Sequence, residues 1–78
     1  MADEMQPKLP GYLRLLLTLY REGMIEEKQR RKLGFTMNDV YMLEAYGLVR
    51  RADGCVIITG DGIKWVEQQI LSRIFPKP

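Results

Sequence analysis

Apolar residues along this chain recur first at helical spacing, then in two short β-branched runs, and then at helical spacing again. Leu9, Leu13, Leu16, Leu17 and Tyr20 fall on one face of a helix, at the three-and-four spacing of an amphipathic segment. Pro10 suits the first turn and Gly23 the end, so the pattern predicts a helix over residues 10–22. Tyr12, Leu15 and Leu19 lie on a neighbouring face, which makes the apolar arc wider than one core contact needs. In so small a chain the expected cover for that excess is a second subunit. Met24-Ile25 reads as a short apolar link or a minimal strand beside a hairpin. A second helix is predicted from about residue 26 to 34, with Leu33 as its core anchor and Ile25 and Phe35 alongside.

The next stretch is the densest in signals. Thr36 and Asp39 stand at cap spacing, which starts a helix, and Gly47 stops it after about eleven residues. A short helix, a glycine turn at Gly34-Phe35 and a capped helix make a helix-turn-helix. In this helix Met37, Val40 and Leu43 share one side, and Asn38, Tyr41, Met42 and Ala45 the other. Leu48 to Arg51, the turn pair Asp53-Gly54 and the run Cys55 to Ile58 then predict a two-stranded hairpin. Thr59-Gly-Asp-Gly62 opens a last helix over residues 60–75, with Ile63, Val66, Ile70 and Ile74 as its stripe. Residues 1–8 read as a flexible lead-in, 9–75 as one domain and 76–78 as a tail. The fold class expected is α+β and mostly helical.

Composition narrows the chemistry more than the fold. The 78 residues are 46% hydrophobic, enough to build one small core. There is no histidine, which removes the commonest general base and transition-metal ligand. Cys55 is the one cysteine and sits in an apolar strand, so a small buried hydrophobe in a reducing compartment is expected. No paired carboxylates or glycine-rich phosphate loop appear, so neither an enzyme nor a cofactor is expected. No secretory signal is visible and no apolar run approaches the roughly 20 residues of a membrane span, which gives a cytoplasmic expectation with no membrane partner.

A net charge of +2 does not by itself announce nucleic acid, so the position of the charges matters more. Lys28, Arg30, Arg31 and Lys32 put four cations in five positions of the second helix. Such a tract fits phosphates flanking a docked helix-turn-helix, although a solvated face paired with Glu26 and Glu27 would show the same pattern. Thr36, Met37, Asn38 and Tyr41 are the candidates for contact with DNA from the following helix. Thr36 also has a simple capping role open to it, and Tyr41-Met42 a protein contact. Between Thr36 and Tyr46 the charged residues are Asp39 and Glu44, both acidic, which sets this helix at an electrostatic disadvantage near phosphates.

Leu43-Glu44, Gly47-Leu48-Val49-Arg50-Arg51, the short hairpin and Ile58-Thr59-Gly60-Asp61-Gly62 together resemble the second half of a winged helix-turn-helix DNA-binding domain. Small prokaryotic and archaeal transcriptional regulators carry a comparable run, and the resemblance spans roughly residues 9–74. Ile58 stands where that family often has Leu, and the hairpin lacks a long basic wing. The resemblance implies three helices, a two-stranded hairpin and a C-terminal helix. It also implies that either Arg50 or Arg51 touches the DNA backbone. The functional expectation is sequence-specific binding of double-stranded DNA by a homodimer, with half-sites about 34 Å apart. Tyr12, Leu15, Leu19, Trp65 and Phe75 are the expected dimer seam, Trp65 having packing beneath the hairpin as its other reading. The competing expectation is a winged-helix module that binds protein through Tyr41, Met42 and Ala45.

Overall fold

The computed structural model describes residues 9–74. Its first helix, α1 (Gly11–Glu22), begins where the Pro10 carbonyl accepts the amides of Leu13 and Arg14 at 3.0 and 3.1 Å. Gly23, at φ 87°, ends it, donating its amide to the Leu19 carbonyl at 2.6 Å. Leu15, Leu16 and Leu19 are fully buried, and Tyr12, Leu17 and Tyr20 pack partly against the same core. This overturns the expected division of the helix. Leu15 and Leu19, assigned above to a second subunit, lie inside the chain's own core, because other elements close over α1 from more than one side.

Those elements are β1 (Met24–Glu26), α2 (Glu27–Lys32), α3 (Met37–Ala45), β2 (Val49–Ala52), β3 (Cys55–Ile58) and α4 (Gly60–Val66). The strands form one antiparallel sheet in the order β1-β3-β2. Asp53 and Gly54, at φ 52° and 73°, make the tight turn between β2 and β3, since the twist of a two-residue hairpin needs two left-handed residues. Register then sorts the side chains. Ile25, Val56 and Arg51 are aligned across the strands on one face, with Val49 and Ile58, whereas Met24, Ile57 and Arg50 share the other with Glu26, Cys55 and Ala52. The first face is the core face: Ile25, Val49 and Val56 are buried in it. Cys55 is half-buried on the outer face, not enclosed as expected.

At α2 the anchor differs from expectation. Leu33 is 47% exposed, and the buried side chain of the helix is Arg30. The amide of Glu27 donates to the Gly54 carbonyl at 3.1 Å, fastening the helix start to the hairpin turn. The helix spans six residues and gives way to the turn at Leu33-Gly34, with Phe35 buried beyond it.

Helix α3 is set by its ends. The Thr36 hydroxyl accepts the Asp39 amide at 3.3 Å while the Asp39 carboxylate accepts the Thr36 amide at 3.0 Å, a reciprocal capping box. At the other end Gly47 turns left-handed at φ 73°, and Leu48 donates back to the Leu43 carbonyl at 3.0 Å. Thr59 caps α4 through the Gly62 amide at 3.0 Å, and its hydroxyl donates to the Gly47 carbonyl at 2.7 Å. That joins the end of α3 to the start of α4. Gly62 is required there, because a Cβ would stand 2.2 Å from the Leu48 carbonyl oxygen.

Beyond Val66 the helix widens into one π turn (Glu67–Leu71) before a final turn at Ser72–Ile74. Of the expected stripe of Ile63, Val66, Ile70 and Ile74, only Val66 is buried among the described residues, and past it the π turn shifts the inward face. Ile63 is 39% exposed, Val66 is buried, and Leu71 reaches the core. A π turn takes more residues than an α turn, so position 71 comes round to the face of Val66. Phe75, the lead-in 1–8 and the tail 76–78 lie outside the described residues, as does the side chain of Ile74. Among the described residues no helix is long and apolar enough to cross a membrane.

Candidate nucleic-acid interface

The cations of α2 divide into two kinds. Lys28, Arg31 and Lys32 are exposed and, among the described residues, in no ion pair. Arg30 points inward and is 7% exposed. Its Nε donates to Glu27 Oε2 at 2.7 Å and its Nη1 to the Phe35 carbonyl at 2.5 Å. The Phe35 amide in turn donates to the Arg30 carbonyl at 3.2 Å, so one residue closes the turn between α2 and α3 from both sides. Arg30 is therefore withdrawn from the expected phosphate tract: its guanidinium is engaged in the fold. The one trace of this in the sequence is Glu27 three positions earlier, on the same helix face.

Helix α3 presents Asn38, Tyr41 and Ala45 outward. Met37 is half-buried against the core and leaves the expected contact set, because it shares the side of Val40 and Leu43. Thr36 is exposed, but its hydroxyl and amide are both used in the cap. Neither carboxylate of the helix is left bare. Asp39 completes that cap, and Glu44 Oε2 accepts Arg51 Nε at 3.1 Å. The Arg51 guanidinium also lies over the Tyr41 ring, 5.3 Å from its centroid, within range for a cation–π contact.

Register separates the two hairpin arginines. Arg51 is on the sheet face that meets α3, while Arg50 is exposed on the opposite face beside Ile57, away from that cluster. Glu27 links α2 to the hairpin: its carboxyl is held below the usual glutamate range first by the Arg30 hydrogen bond and then by the charges of Arg30, Arg31 and Arg51. The Glu44 hydrogen bond likewise pushes the Arg51 guanidinium further up. Arg14 of α1 was not singled out from the sequence, yet its guanidinium stands 5.8 Å from the Phe35 ring centroid, at the α2–α3 turn. It is exposed and in no ion pair among the described residues.

Elsewhere an apolar groove of about 460 Å³ is lined by Tyr12, Leu13, Leu43, Tyr46, Leu48 and Trp65. It brings Tyr12 and Trp65 of the expected seam together, without Leu15 and Leu19. Among the described residues no three acidic, cysteine or histidine side chains gather as a metal ion would need. Comparison of the chain with models of protein families, with curated proteins and with solved structures found no match.

Proposed function

We propose that this chain is a winged helix-turn-helix protein that binds double-stranded DNA as a small transcriptional regulator. Helix α3 enters the major groove and α2 lies on the flanking phosphates. One observation carries this reading: both carboxylates of α3 are engaged within the protein, while Lys28, Arg31 and Lys32 stand exposed and in no ion pair among the described residues. With Asp39 in the cap and Glu44 against Arg51, both carboxylates of α3 are held by groups of the protein, and only Glu44 is offset by a cation. Asn38 and Tyr41 on that face have the groups to read base edges and thymine methyls. The element order, with two consecutive short helices followed by a two-stranded hairpin, supports the winged arrangement.

The test is a titration of a mixed-sequence duplex across a salt series, comparing the unaltered chain with a variant carrying Lys28→Ala, Arg31→Ala and Lys32→Ala. The variant is expected to bind every duplex more weakly. The slope of log affinity against log salt should flatten by up to about 2.7 if all three side chains neutralise a phosphate. Absence of salt-sensitive binding by the unaltered chain overturns the reading. A protein-binding module is the second reading, favoured by Tyr46, which is 71% exposed at the rim of the apolar groove. Self-association through Tyr12 and Trp65 in that groove belongs to the same proposal and would supply the two-fold symmetry of a palindromic site.

A further inference from the structure

We infer that Glu44 is a positioning residue that holds Arg51 ready for a DNA phosphate, so that an acidic residue on α3 strengthens duplex binding instead of opposing it. The inference rests on the DNA-binding reading and adds a sign to it. Glu44 engages only the Nε of Arg51, at 3.1 Å. Among the described residues the two terminal amino groups of that guanidinium have no hydrogen-bond partner. The Tyr41 ring lies against the same guanidinium, 5.3 Å from centroid to Cζ. The arginine is thus fixed by a carboxylate and a ring, with most of its donor fork unspent, and its side chain is 47% exposed. An arginine held this way has less freedom to lose when it meets a phosphate than a mobile one. Arg50, one position away, lies on the opposite face of the sheet without such a holder.

Charge counting and positioning make opposite forecasts for one substitution. If Glu44 were simply a negative charge near phosphates, removing it would tighten binding. If it orients Arg51, Glu44→Ala weakens binding although the protein becomes more positive. The effect expected is about threefold, the scale of an exposed ion pair.

The experiment is a double-mutant cycle of Glu44→Ala and Arg51→Ala, read as affinity for a mixed-sequence duplex at low salt. Thermal melts confirm that each variant is folded, and Glu44→Gln replaces Glu44→Ala in the cycle if the alanine variant is not. Support is a weakening by the Glu44 substitution in the unaltered chain that vanishes or reverses when Arg51 is already alanine. A tightening in both backgrounds overturns the inference, and so does an equal weakening in both, since Glu44 would then act without Arg51. Duplex binding by the unaltered chain, with its salt slope, is read first. Its absence removes the functional reading and this inference with it, whereas its presence with the wrong sign at Glu44 removes the inference alone.

Discussion

Glu27–Arg30 and Glu44–Arg51 join the same two residue types at 2.7 and 3.1 Å, yet they do different work. In the first pair the arginine side chain is 8% exposed and the glutamate side chain 36%; in the second the side-chain values are 47% and 28%. Arg30 spends its second donor on the Phe35 carbonyl, where water is largely excluded. Arg51 keeps its remaining donors at the surface and stacks on a tyrosine. The contrast teaches that an arginine beside α3 is either used up within the fold or left with free donors, according to whether main chain or solvent faces the far side of its guanidinium. That distinction can be broken experimentally.

The largest effect is expected at Arg30. Arg30→Ala leaves the Phe35 carbonyl without its donor and Glu27 without its partner, and should cost about 2–3 kcal/mol in denaturant unfolding. A loss below roughly 0.5 kcal/mol, the scale of surface substitutions, would erase the difference between the pairs.

Acid comes next. The Glu27 carboxyl titrates below its ordinary value of 4.5 in the folded chain, so the unfolded chain takes up the proton first as pH falls. Its contribution is complete above that ordinary value and is lost as pH drops through the lower folded one. Stability measured between about pH 5 and pH 3 should therefore fall less steeply in Glu27→Gln than in the unaltered chain. The effect should be smaller than that of Arg30→Ala, because protonating Glu27 leaves the Arg30 bond to Phe35 in place. Equal slopes in the two proteins would show that the ion pair does not favour the folded state.

The smallest effect is expected at the exposed pair. Arg51→Ala should change stability far less than Arg30→Ala, and its coupling to Glu44 should disappear at high salt. A coupling as large as that of Arg30 with Glu27, and insensitive to salt, would mean that Arg51 too is a structural residue.

Much of the architecture was legible before any coordinates. Pro10, Gly23, the Thr36–Asp39 cap, Gly47, the Asp53-Gly54 turn and the Thr59 cap each act within a few residues of their own position. Such signals survive whatever packs around them. The inward turn of Arg30 was not legible, because a cation between cations looks solvated until Phe35 is brought beneath it. Nor was the use of the wide apolar arc of α1, since the sequence does not say how many neighbours a helix has. Beyond Val66 the stripe on the last helix was misassigned for a third reason: one π turn at Glu67–Leu71 changes which residues share a face.

The candidate surface divides along the same line. Sequence alone determined the order of the helices and the hairpin and most of their starting points, though not the shorter α2 or the break after Val66, and it placed Lys28, Arg31, Lys32, Asn38 and Tyr41 on adjoining elements. Tertiary structure alone decided that Arg30 is withdrawn, that Arg51 and not Arg50 meets α3, and that Asp39 and Glu44 are both engaged. The physical reason is range. Caps and turns are satisfied by near neighbours in the chain, whereas the fate of a charge depends on which distant atoms exclude water from it.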